Sequence, residues 1–433
     1  MHSQELLNRY LESNRMLPEV EELIPLASQT FSKSRTQYPP LISPLFASRS
    51  HGCKTWDIDG NEYIDLVSSL AAVTLGYGDA DVNEAVKKQL DLGVTLTLPG
   101  LLEYEVASLI RDLVPSAERI RFAKTGSDAT AGAIRLARAF TGRDHVLLGG
   151  YHGWQDWYIG STSMNLGVPK SVSILSHSFL LNDLDSLEKL FTELPNSIAA
   201  LILEPISAIS PTPEFLAHVR KRTLELGIVL IFDETVTGFR VAPGGAQEYL
   251  GITPDLSTFG KGIANGFPLS VLCGRADIMV LMDRVFFSGT FGGELLSLAA
   301  AKVVLSKIKN ENITEQLAIK GSKLNSAVNE AIFTQNFEGL ELSGHPSWQF
   351  LMWDQSKFKD ILMTKTLFLQ EMFFRGILIL GSHNITLSHD EASIERIKHA
   401  YEEVLSLIQK VEREQSYAEN LLVKPLEPLF RVR

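Results

Sequence analysis

Short, mainly apolar runs alternate with amphipathic stretches through the middle of the chain. Ile120–Phe122, His145–Leu148, Ile198–Leu203, Ile228–Phe232, Leu256–Phe259 and Leu269–Leu272 have the length of strands. They lack the alternation of a strand with one wet face, so they predict strands covered on both sides. Helical patterns lie between them: from just after Phe122 to Phe140, over Glu214–Leu226, and from Glu294 to about Lys309. Continuous apolar strands joined by helices predict an α/β domain on a mainly parallel sheet, from about residue 76 to 310. Ligands of such sheets gather at the carboxyl ends of the strands. The residues that follow each run are therefore the first candidates for chemistry.

The two chain ends read differently. Gln4–Ser13 predicts a short amphipathic helix, and Pro39, Pro40 and Pro44 exclude a long helix in the stretch that follows. Asp59–Gly60, set among alternating residues within Thr55–Val67, predicts a hairpin. Beyond residue 310, two long amphipathic helices (Ile313–Phe333 and Glu391–Glu412) flank strand-like pieces at Trp348–Trp353 and Ile377–Leu380. The expected division is an N-terminal segment 1–54 that joins the small domain, a large domain 55–310, and a C-terminal small α+β domain 311–433.

Composition narrows the function classes. A chain of 433 residues, 45% of them hydrophobic, can bury a large core without a disulfide or metal staple. Its two cysteines, Cys53 and Cys273, form no CxxC pair, which fits a reducing cytosol. The formal charge of −11 argues against broad nucleic-acid binding. No apolar run reaches the roughly 18 residues of a membrane span, and the N-terminus does not read as a signal peptide. The histidines show no paired ligand spacing, so no metal site is expected; His345 and His383 read as loop residues of the smaller domain that cap turns or, alternatively, line the substrate mouth.

The strand ends then supply the chemistry. Thr125-Gly126-Ser127 follows the first run and opens a helix, where free N–H groups and the helix dipole favour an anion. Taken alone, such a turn also reads as an ordinary N-cap. Tyr151 and His152 follow the second run among glycines, where an aromatic ring can lie against a planar ligand. Asp233 follows a fully apolar strand, and a carboxylate buried there needs a partner such as a cationic ring nitrogen. Lys261, between Gly260 and Gly262, sits at another strand end, where a desolvated lysine can form a Schiff base. A phosphate seat, a stacking aromatic, a ring-nitrogen carboxylate and a Schiff-base lysine are together the handles of pyridoxal 5'-phosphate.

With these motifs in order, the chain resembles the class III aminotransferases of the fold-type-I pyridoxal phosphate enzymes. The resemblance runs from about Phe31 to Val411. It rests on WDIDGNEYIDL (56–66), RFAKTGSDATAGAIRLARAFTGRD (121–144), YHGW (151–154), LILEP (201–205), IFDETVTGFR (231–240), TFGKGIANGFPLS (258–270) and SGTFGGELLSLAAA (288–301). It implies a large domain with a seven-stranded-type, mainly parallel sheet between helices and a small domain built from both chain ends. It also implies Lys261 and Asp233 as catalytic residues and Thr125, Gly126, Ser127, Tyr151, His152, Glu204 and Thr235 around the cofactor. Thr290 looks like the residue that reaches the phosphate from a second subunit, which implies a homodimer with shared sites and a dimer contact near residues 1–54. Thr235 stands where the family usually has valine on the other ring face.

Within the family the chain looks nearest to the glutamate-1-semialdehyde 2,1-aminomutase branch. Arg35 matches the position of a substrate-binding arginine there, and Trp154 lies on the expected substrate side. Three departures matter. Ile209 replaces an asparagine, the Trp154–Pro169 segment is shorter than a gating loop, and Phe291-Gly292-Gly293-Glu294 replaces a Ser-Gly-Asn-Pro segment. A mutase must retain its intermediate through both half-reactions, so a lost gate favours transfer between separate molecules. Glu294 either carries a charge toward the partner's phosphate entry or starts the next helix. The expected function is a cytoplasmic, ping-pong aminotransferase that moves an amino group from a donor to a carbonyl acceptor. The alternatives are the aminomutase itself and, more remotely, a non-catalytic binding protein on the same fold.

Overall fold

A computed structural model describes residues 2–427. Residue 1 and residues 428–433, the extremes of the two expected terminal segments, lie outside the described residues. The chain divides into two compact units. One holds the residues up to Leu70, Thr74–Gly78 and the chain from Gln316; the other holds Ala71–Val73 and Asp79–Glu315.

The first unit begins with the helices His2–Arg9 and Leu11–Leu23, where one helix over Gln4–Ser13 was expected. The break at Tyr10 has a cause far along the chain. The Asp59 carboxylate accepts the N–H groups of Glu12 (2.7 Å) and Ser13 (3.1 Å) and the Ser13 hydroxyl (2.5 Å), so it caps the second helix. Strand β1 (Ala47–His51) pairs antiparallel with β2 (Lys54–Asp57), and β2 with β3 (Glu62–Asp65), which is the predicted hairpin.

The second unit is a seven-stranded sheet of β4 (Arg119–Ala123), β5 (His145–Gly149), β6 (Ser176–Ser178), β7 (Ile198–Leu203), β8 (Val229–Glu234), β9 (Leu256–Phe259) and β10 (Ser270–Gly274). Its order is β4-β10-β9-β8-β7-β5-β6. Only β10 opposes the rest: it is antiparallel to both β4 and β9. The carboxyl ends of β4, β5, β7, β8 and β9 therefore share one edge of the sheet. The polar edge strand β6 carries no apolar run, which is why sequence patterning misses it.

Both faces of the central strands β7 and β8 are covered, as their apolar runs require. Ala200 and Ile202 of β7 and Val229 and Ile231 of β8 pack with Ala133, Ile134 and Ala137 of the helix Gly126–Thr141. Their neighbours Leu201, Leu203, Leu230 and Phe232 face the other way, toward Leu187 and Phe191 and toward Phe215, Leu216 and Val219. Successive side chains of a strand point to opposite faces, so an all-apolar run feeds two cores at once.

The first unit resumes with β11 (Leu340–His345), β12 (Trp348–Trp353), β13 (Ile377–Leu378) and β14 (Ser382–His383). Parallel pairing of β13 with β3 ties the two chain ends together. It also keeps the hairpin in this unit, whereas the expected boundary at residue 55 would have assigned it to the large domain. The helix Ile361–Phe374 is apolar on most of its surface and largely buried. Such a helix shows little periodicity, so it leaves no amphipathic signal. Among the described residues no helix is long and apolar enough to cross a membrane.

Candidate active site

The shared sheet edge gathers most of the residues singled out above. Thr125 is the N-cap of the helix Gly126–Thr141. Its hydroxyl accepts the Asp128 N–H (3.2 Å) while the Asp128 carboxylate accepts the Thr125 N–H (2.8 Å). This reciprocal cap uses two donors and leaves the N–H groups of Gly126 and Ser127 without helical partners. The cap and the anion seat are thus the same turn.

The turn after β5 presses against two neighbours through its glycines. Gly150 and Gly153 have positive φ, and a Cβ would lie 2.4 Å from Glu204 Oε2 at Gly150 and 2.3 Å from Ser127 Oγ at Gly153. Any other residue there would strain the backbone and push its neighbour away. Tyr151 donates its N–H to Glu204 Oε2 at 3.0 Å, and Trp154 donates its N–H to Ser127 Oγ at 3.3 Å. Both rings remain accessible, 51% for Tyr151 and 64% for Trp154.

His152 points inward and is buried. Its Nδ1 lies 2.9 Å from Asp233 Oδ2. An ionised carboxylate only accepts, so Nδ1 carries the hydrogen; Nε2 is buried without a partner. Asp233 Oδ1 accepts the Thr235 N–H (3.1 Å), the Thr235 hydroxyl (2.6 Å) and the Thr258 hydroxyl (3.1 Å). Burial alone would raise the Asp233 carboxyl, but the bonds from His152 and Thr235 outweigh it and hold it below the usual carboxylate range. Thr258 was not singled out from the sequence. Its only signal is a hydroxyl inside an apolar run, and its role comes from the register that sets it beside Asp233.

Lys261 follows β9 and itself takes the left-handed conformation, with φ +45°. Such strain in a non-glycine residue persists only where its surroundings hold it, commonly at functional sites. Burial lowers its ammonium below the ordinary lysine value; the Glu204 and Asp233 carboxylates oppose that, and the Arg240 charge adds to it. Glu204 is pushed up, first by burial and then by Asp233, with His152 opposing. Arg240, which ends the IFDETVTGFR segment, is fully buried in this unit.

Three further residues have surroundings of their own. Thr290 is exposed on a loop that lines a cavity of about 540 Å³ with Glu103, Arg121, Lys124 and Asp128; Lys261 and Asp233 do not line it. Arg35 belongs to the first unit, where its guanidinium forms an ion pair with Glu21. Ile209, at the position of the expected asparagine, is 63% exposed.

Glu294 starts a helix. It is the N-cap of Leu295–Asn310, accepting from Leu296 N–H (2.7 Å) and from the Ser297 hydroxyl (2.6 Å), and it meets Lys124 Nζ at 2.8 Å. Glu294→Ala removes the cap and leaves Lys124 without this partner. Urea unfolding should show a stability loss of about 1–2 kcal/mol; an unchanged midpoint would mean that the cap contributes nothing.

The sequence pattern of the class III aminotransferases matches residues 36–339. The chain belongs to that family. It is therefore an enzyme, a pyridoxal phosphate-dependent aminotransferase of fold type I, as the motifs implied. Among solved structures it is similar to the FumI protein of Sphingopyxis sp. MTA144, determined with pyridoxal phosphate. The two are 27% identical with a TM-score of 0.86, over 92% of this chain and 96% of that one. An omega-transaminase from Sphaerobacter thermophilus is also 27% identical with a TM-score of 0.86, over 93% of this chain and 100% of that one. A glutamate-1-semialdehyde aminomutase from Pseudomonas aeruginosa PAO1 shares the fold at 20% identity and a TM-score of 0.83, over 94% and 96% of the two chains.

The residues of the sheet edge fit the cofactor. A helix N-terminus with two unclaimed N–H donors suits a phosphate. An accessible tyrosine lies beside it, a buried carboxylate suits a protonated ring nitrogen, and a strained, desolvated lysine suits an aldehyde.

Proposed function

We propose that Lys261 and Asp233 carry the reaction and that the remaining residues of the sheet edge hold the cofactor. The observation that supports this best is the contact chain Ser127–Trp154, Tyr151–Glu204 and His152–Asp233, with Lys261 in the field of both carboxylates. When bound, pyridoxal phosphate supplies an aldehyde that receives the amino nitrogen and a ring that accepts an electron pair. Thr125, Gly126 and Ser127 would bind and orient its phosphate. Tyr151 would cover one ring face and Thr235 the other. Asp233 would hold negative charge opposite the ring nitrogen and so favour a proton there. Lys261, its ammonium shifted down, has an amine that can take a proton from the substrate carbon and return it one atom away. Trp154 borders the substrate side. Arg35 is the candidate for a substrate carboxylate, which requires release of Glu21.

The enzyme works as a homodimer in this reading. Leu98, Leu101 and Tyr104 are 76%, 81% and 71% exposed, more than an isolated surface needs to leave bare. This segment adjoins the Thr290 loop, for Leu295 donates its N–H to the Val94 carbonyl at 2.8 Å. A second copy seated there would bury these side chains and present Thr290 to its phosphate. We place the reaction in the cytoplasm, a reading that the two buried free cysteines support.

A donor panel tests the ping-pong reading. Each productive donor alone should convert the bound cofactor to its amine form, and a carbonyl acceptor should restore the aldehyde form. Product release from glutamate 1-semialdehyde with no added acceptor would instead establish the aminomutase.

A further inference from the structure

We propose that Thr235 is a positioning residue for amino transfer: its hydroxyl helps to saturate Asp233 Oδ1, leaving Oδ2, the oxygen beside His152, to meet the ring nitrogen. The inference rests on the reading of Asp233 as the ring-nitrogen partner. A carboxylate oxygen offers about two lone-pair directions. Oδ1 already accepts three donors: the Thr235 hydroxyl at 2.6 Å, the Thr235 N–H at 3.1 Å and the Thr258 hydroxyl at 3.1 Å. Oδ2 receives His152 alone. The first bond has the length of a charge-assisted O–H···O⁻ contact, the strong class of hydrogen bond.

The Thr235 side chain lies against two glycines: a Cβ at Gly126 would lie 3.0 Å from its methyl Cγ2 and 3.1 Å from its hydroxyl Oγ1, and a Cβ at Gly260 would lie 3.3 Å from Cγ2. The hydroxyl is held toward Asp233 by its own 2.6 Å bond to Oδ1. A valine at this position would keep the methyl contact and lose only the hydroxyl. The threonine therefore does two separable things: it covers the ring face with carbon, and it draws charge from Oδ1 through oxygen.

That second effect has a sign. Without the hydroxyl the carboxylate is more basic and favours protonated forms of whatever it faces. The other titratable side chains that interact with this carboxylate, Glu204, Lys261, Tyr151 and Tyr158, stay in place, as does the hydrogen bond from His152.

The test uses the full-length protein loaded with pyridoxal phosphate, as wild type, Thr235→Val and Thr235→Ser. The visible band of the bound cofactor is titrated across pH. The midpoint of Thr235→Val should lie higher by about half a pH unit, and Thr235→Ser should restore the wild-type midpoint because it keeps the oxygen. A Thr235→Val midpoint equal to wild type, with or without a fall in melting temperature, overturns the inference. So does a serine variant displaced as far as valine. A wild type that binds no cofactor at all overturns the underlying cofactor reading and this inference with it.

Discussion

Lys261→Ala is expected to lower turnover by about 10²–10⁴-fold, the scale of a lost proton-transfer group. The argument combines position and environment. The amine follows β9 at the shared sheet edge, it is shifted down by burial, and its backbone is strained at φ +45°. Lys261→Arg separates the roles of charge and proton transfer. Arginine keeps a positive charge near Glu204 and Asp233 but does not release its proton. If field alone mattered, the arginine variant would recover most of the activity; the proton-transfer reading expects both variants to be equally slow. Reduction with borohydride followed by mass analysis supplies a second readout, with cofactor mass attached to wild type and to neither variant. Normal amino transfer by Lys261→Ala would remove Lys261 from the reaction.

Asp233→Asn is expected to cost about 10²–10³-fold in turnover, the range seen when a preorganised electrostatic partner is removed. The variant has the same shape, so its effect is electrical. The amide oxygen can take the place of Oδ1 and keep the donors from Thr235 and Thr258. Its NH₂ group then faces His152 Nδ1, which must give up its hydrogen and accept. The tautomer switch places a hydrogen on His152 Nε2, which is buried without a partner. A stability loss of about 1–3 kcal/mol should accompany the rate loss, as for a disturbed buried hydrogen bond. Steady-state kinetics and urea unfolding of the same preparation check both parts, and full activity in the variant would refute the charge argument.

Read from the sequence, the site was a set of positions without partners. Asp233 was conspicuous because a carboxylate at the end of an apolar strand must be compensated, and Lys261 because glycines flank it at another strand end. The first pointed to a cationic ring nitrogen, and neither identified the protein's own groups that compensate Asp233. The answer is His152, Thr235 and Thr258, brought in from the turn after β5, the next turn and the adjacent strand. Arg35 shows the opposite case. Its motif suggested a role at the substrate, and its guanidinium meets Glu21 within the first unit.

The division between local and distant information has a physical origin. Burial on two faces favours side chains without polar atoms, so β7 and most of β8 are written as apolar runs, while β9 and β10 also bury Ser257, Thr258 and Ser270; the end of each run marks where chemistry can begin. Strand order, the reversed direction of β10 and the partners of each polar group leave no periodic trace, because they depend on which segments meet after the chain has collapsed. Asp59 makes the point at the smallest scale. Its place beside Gly60 announced a hairpin, as observed, while its carboxylate caps a helix that begins at Leu11. A turn depends on backbone dihedrals of adjacent residues and is encoded locally. A cap contributed from another part of the chain depends on geometry that exists only once both elements are packed.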